Sequence, residues 1–203
     1  MAADQGSIND IRYDPAGALV SEVSAPIAEV SPGVGEAEVT TDPLPANIYT
    51  GKTHFADNGY YQAASVETQL VVYDPDRGFV TGGGFLCGGG LKTFGFCVKP
   101  SACEPWLPKG NLLFVDLSSL RKPLTVKATK FAWLVIPADQ DIAYVAGVCK
   151  YNGNEGYSFY LTVEDKGWLW PQDTFRITVK DSTNQIVYDS QGTVTCGGLL
   201  IHY

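Results

Sequence analysis

The 203-residue chain predicts an all-β fold, an antiparallel β-sandwich of jelly-roll type preceded by an extended N-terminal tail. Three observations lead there. Short apolar or alternating segments recur between clusters of Gly, Pro, Asn and Asp, and no segment keeps a helical period. Aromatic residues are abundant, with four Trp, eleven Tyr and nine Phe, as half-buried strand faces favour. Twenty-two Gly and twelve Pro supply the many turns such a chain needs. Strands of this kind pack as a sandwich or as a flattened barrel.

Composition narrows the function classes. The 45% hydrophobic content is that of a globular protein, and the length suits one good core. A net charge of -8, without clustered Lys or Arg, argues against nucleic acid or an anionic membrane as the main partner. No apolar run approaches the length of about 18 residues that a membrane-spanning helix needs.

Residues 1–66 differ from the rest. Ala25-Pro26, Ser31-Pro32-Gly33 and Asp42-Pro43-Leu44-Pro45 punctuate small residues, a poor recipe for a core. Yet Ile8, Ile11, Tyr13, Val20, Val23 and Val30 keep apolar positions running through the segment. The bland reading is a flexible linker. The preferred one is an extended arm lying as strands along a sheet edge, with the sandwich domain occupying residues 67–203.

That domain opens on Tyr73-Asp74-Pro75-Asp76-Arg77-Gly78, turn chemistry between two strands. Strand candidates cover 69–73, 78–86, 91–98, 111–117, 124–130, 131–136, 142–149, 157–163, 174–180, 185–188 and 194–202. Phe175-Arg176-Ile177-Thr178-Val179-Lys180 alternates cleanly, as a strand with one wet face must. Gly82, Gly83 and Gly84 interrupt a strand pattern, which signals a bulge, a bend, or close backbone approach by another segment. The strand-Tyr-Asp-turn-Gly grammar occurs three times, around Tyr13-Asp14, Tyr73-Asp74 and Tyr188-Asp189, and reads as three hairpins.

Tyr73-Asp74-Pro75, Gly78 to Gly84, Phe94-Gly95-Phe96, Trp133-Leu134-Val135, Asp173-Thr174-Phe175-Arg176-Ile177, Val187-Tyr188-Asp189 and Gly197 to His202 form an ordered series. In that order they resemble the landmarks of the bacterial post-COAP domain, over roughly residues 69–203. The resemblance implies a small all-β module of secreted or surface proteins, hence an extracellular or cell-surface setting, and carries no catalytic residues with it. Phe85 stands where that family usually has Trp, five cysteines occur where it has few, and the domain follows a tail instead of ending a giant chain. These departures suggest a specialised, self-assembling descendant.

Candidate chemistry is sparse. His54 and His202 are the available imidazole bases, and neither sits in a nucleophile motif. The acid pairs Asp139/Asp141 and Glu164/Asp165 read as solvated turns, although glycosidases use two carboxylates. Asp165 and Asp173 offer hard oxygens for structural calcium, without the Asp-x-Asp spacing of a dedicated loop. No cofactor is expected. Trp168 and Trp170, one residue apart and so on one face of an extended segment, join Trp106 as a candidate platform for a partner or a glycan. Alternatively they plug one end of the sandwich. Cys97 and Cys103, separated by five residues, are the first candidate disulfide, while pairing among Cys87, Cys149 and Cys196 stays open.

The expected function is therefore non-catalytic: a structural or surface protein that forms a homo-oligomer or larger assembly through its N-terminal arm. The alternative is a carbohydrate-binding module using the Trp residues, with polysaccharide as partner.

Overall fold

The computed structural model describes residues 6–203 except Tyr60, Arg77, Gly88, Gly89, Pro105, Leu120, Asp139 and residues 168–171, together with the backbone but not the side chain of Cys87. The protein is all-β, with no helix among the described residues. Its chain divides into two compact units, Met1–Val72 and Tyr73–Tyr203.

The first unit corrects the expectation of an extended arm. Strands β1 (Ser7–Tyr13), β2 (Leu19–Pro26), β5 (Asn47–Phe55) and β6 (Ala64–Val72) form an antiparallel sheet in the order β2-β1-β5-β6. A separate hairpin joins β3 (Ala28–Ser31) to β4 (Val34–Glu36). Of the Pro-containing pieces that argued against a core, Pro32-Gly33 and Asp42-Pro43-Leu44-Pro45 are connections, while Ala25-Pro26 ends β2 with Ala25 buried. Asp14 closes the β1–β2 turn, accepting from the Ala18 N–H at 2.8 Å through its side chain and from Gly17 at 3.0 Å through its carbonyl. The segment is held in place by pairing with itself.

The second unit is a closed barrel, not a jelly-roll sandwich. Strands β7 (Phe79–Cys87), β8 (Lys92–Lys99), β9 (Lys109–Asp116), β10 (Leu124–Val135), β11 (Ile142–Tyr151), β12 (Asn154–Glu164), β13 (Thr174–Lys180) and β14 (Ile186–His202) each pair antiparallel with the next. Pairing of β14 with β7 completes the circle. The difference from expectation has a physical cause. The segments 124–130 and 131–136 are one strand, bent by register shifts at Ala128/Lys130 and Phe131/Trp133 against β11. Likewise 185–188 and 194–202 fuse into β14, which shifts at Val194/Cys196. Bulges let a long strand curve and serve both neighbours, so an eight-strand meander closes on itself instead of folding into two layers.

Alternation fills the interior. Phe94, Phe96 and Val98 from β8, Leu112 and Phe114 from β9, and Phe175, Ile177 and Val179 from β13 all point inward and are buried. Phe175 stacks on Phe94 at 4.3 Å and on Phe114 at 5.8 Å between ring centroids. Each such ring contributes about 1.5–3 kcal/mol by leaving water. The barrel is thus a packed core, not a channel.

Candidate functional site

The glycine run shows how the barrel uses its backbone. A Cβ on Gly82 would stand 2.5 Å from Leu199 Cδ2 and 2.7 Å from Phe96 Cε1, so this glycine leaves room for two core side chains. Gly84 faces Gly197 across the β7–β14 pair, and a Cβ there would strike the Cys196 carbonyl. Gly83 is roomier, with its nearest neighbour, the Phe94 carbonyl, 3.6 Å from a built Cβ. Two of the three therefore answer to close approach by the protein's own strands, and Gly83 has no packing reason.

The other singled-out residues fall in separate places. Trp106 is 57% exposed beside a hollow of only about 10 Å³ bordered by Tyr73, Pro100 and Pro108, so a ligand there would lie on the indole and not in a pocket. Trp168, Trp170 and Asp139 lie outside the described residues, as does the side chain of Cys87. Cys97, half-buried on β8, and Cys103, exposed in the following loop, are both free thiols; the expected bridge between them is not formed. Cys97 is held in register against Thr81 and Asn111 by the strands on either side, which fixes its position independently of the loop. Cys149 and Cys196 are free as well, and burial pushes the Cys149 thiol up to about 11.

Asp165 and Asp173 serve the backbone. Asp165 accepts from the N–H groups of Gly167 at 3.0 Å and Ile201 at 3.1 Å, and Asp173 from Lys166 at 2.9 Å and Leu199 at 2.8 Å. The pairing of β13 with β14 ends at Thr174 opposite Thr193, so the later half of β14 lacks a strand on that side and these carboxylates take its amides. His202 stacks on Phe79 at 3.9 Å and lies 3.3 Å from the Thr81 hydroxyl. His54 is exposed on β5. Glu164 is engaged by Lys166 at 2.9 Å and Thr174 at 2.9 Å, bonds that hold its pKa below the usual carboxylate range. Arg176 forks onto Asp189 at 3.1 and 3.0 Å on the barrel's outer wall, lowering the Asp189 pKa.

One polar cluster, at the end of β9, is more finely set. Tyr188 donates to Asp116 Oδ2 at 2.7 Å, and Asp116 also accepts from the backbone N–H and hydroxyl of Ser118. Partial burial works against ionisation of Asp116, but these hydrogen bonds outweigh it and its pKa is lowered. Desolvation, followed by the bond to Asp116, pushes the Tyr188 hydroxyl up. Ser190 Oγ, two residues on in β14, is buried without a partner at hydrogen-bond distance.

What stands apart from all of this is the sheet of the first unit. The barrel's strands pair in a circle and leave the far ends of β10 and β14 without a strand on one side, whereas an open sheet has two full-length edges. At one edge, β2 ends on Pro26, which has no N–H, and the ladder beside it shifts register at Arg12/Tyr13. At the other, β6 pairs with β5 over nine residues without a shift. Ala64 to Gln69 are exposed on both faces, Val66 at 55%. Among the described residues, the backbone of β6 is paired to β5 alone. Sequence reasoning found only the end of this strand, from residue 69. The signal for the rest was the β-branched pair Val66 and Thr68, diluted by Ala, Ser and Glu.

No family model matches the chain, and neither a curated protein nor a solved structure does.

Proposed function

We propose that the chain is a non-catalytic structural protein that works by association, with the N-terminal sheet as its adhesive part and the barrel as a self-contained body. The observation that carries this reading is the nine-residue strand β6, exposed on both faces over Ala64 to Gln69 and paired on one side. Open edges of this kind recruit another strand, because main-chain N–H and C=O groups there exchange water for a partner at little geometric cost. The barrel contributes no such edge where its strands pair in a circle. Association therefore falls to the first unit. The resemblance to post-COAP modules of secreted and surface proteins implies an assembly outside the cell, as part of the same proposal.

Sedimentation velocity of the full chain over a wide concentration range tests it. The expected result is a concentration-dependent dimer or larger species. A monomer throughout, with the N-terminal unit cut readily by protease under native conditions, would end the proposal.

Trp106 supports a second reading, carbohydrate binding. An indole 57% exposed beside Tyr73, Pro100 and Pro108 offers the flat apolar face on which sugar rings stack. Titration with soluble polysaccharides should then quench or shift the Trp fluorescence of wild type but leave the Trp106→Ala variant flat. Equal responses from both would remove Trp106 from consideration.

A further inference from the structure

Resting on the associative reading, we infer that the partner of β6 is β6 of a second copy, added antiparallel about a two-fold axis at Thr68, so that two four-stranded sheets become one continuous sheet.

The choice between edges follows from their chemistry. Natural sheets blunt edges with proline, bulges and charge. The β2 edge has two of these, Pro26 and the register shift beside Tyr13. The β6 edge has no proline and no shift, and carries one charged residue, Glu67, already paired on its own sheet with Lys52 at 3.3 Å. It is the undefended edge.

The choice of register follows from that one charge. An antiparallel two-fold centred on Glu67 would set the two Glu67 carboxylates opposite one another, which is unfavourable. Moving the centre to Thr68 pairs the two threonines with each other, Glu67 with Gln69 of the other copy, and Val66 with Leu70. Thr–Thr contact, a carboxylate facing a carboxamide donor, and an apolar pair are all favourable cross-strand neighbours. Faces agree as well. On the existing ladder Val66, Thr68 and Leu70 lie opposite Thr53, Gly51 and Tyr49, while Glu67 and Gln69 lie opposite Lys52 and Thr50. Because side chains alternate, the new pairs keep each set on its own face. A second copy fits this edge because the strand is complementary to itself.

Gln69 is exposed and lies on the face away from Val66 and Leu70, so its charge can be changed without touching packing. The test is sedimentation equilibrium of the full chain as wild type, Gln69→Glu and Gln69→Lys at low salt. In the proposed dimer each change acts twice, opposite both Glu67 side chains. Gln69→Glu should weaken the dimer about threefold to tenfold and Gln69→Lys should tighten it by a similar factor, both effects fading in high salt. A Thr68→Cys variant treated with a short thiol crosslinker should give a covalent dimer linked through position 68 of both copies, identified by peptide mass. Ser65→Cys should give no such link, since the two Ser65 positions stand about 20 Å apart in this register. A dimer insensitive to both Gln69 changes, or one crosslinked through residue 65 and not 68, overturns the edge or the register while leaving association intact. A wild-type chain that stays monomeric overturns the inference together with the reading beneath it.

Discussion

Within three consecutive glycines of β7, the side chain of Gly82 is forbidden by Leu199 and Phe96 in the core, while one on Gly83 would meet only ordinary contacts. Gly82→Ala should therefore cost about 1–3 kcal/mol through overpacking. Gly83→Ala should stay within about 0.5 kcal/mol of wild type. Chemical denaturation of the two variants checks the contrast, and equal effects would mean the interior is looser than its contacts indicate. The same scale governs pH. Asp116 has a lower pKa folded than unfolded, so its contribution is fully present above its unfolded value of about 4 and is lost as pH falls through the folded value. Tyr188→Phe removes the 2.7 Å bond that helps hold it there. We expect this variant to lose about 1–3 kcal/mol at neutral pH. In thermal melts its stability should decline less steeply than that of wild type between about pH 5 and pH 2.

At the level of the element, β14 depends on side chains where a strand partner runs out. Asp173→Ala should speed hydrogen exchange at the Leu199 amide and destabilise the barrel by about 1–3 kcal/mol, while leaving exchange at the β12–β13 ladder close to wild type. Elements of this type mark the limit of what the sequence discloses. The alternation of β13 was legible because each residue meets one core face and one wet face. The continuity of β10 and β14 was not, since a bulge inverts the in-out pattern midway and makes one bent strand look like two straight ones. That misreading turned a barrel into a sandwich. The Tyr-Asp grammar failed similarly at its third occurrence: Tyr188-Asp189 lies inside β14, where Asp189 holds Arg176 instead of closing a turn. Edge status was invisible for another reason. Whether a strand has one neighbour or two is decided by distant segments, and nothing in Ala64 to Val72 encodes it.

Taken as a whole molecule, the chain joins a unit whose strands pair in a circle to one whose sheet is open at two strands. The barrel draws its stability from a filled interior of Phe94, Phe114, Phe175 and their neighbours. Its first unit has little such interior at β6, where the side chains of Ala64 to Gln69 all meet solvent. Partnership would change that strand most, protecting backbone groups that β5 does not reach. The measurement closest to this claim is amide hydrogen exchange along β6 of the full chain at low and high protein concentration. Amides of β6 are expected to slow at high concentration while those of β2 and the barrel do not change. Identical β6 exchange at both concentrations, in a sample shown by sedimentation to be dimeric at the higher one, would contradict pairing through this strand.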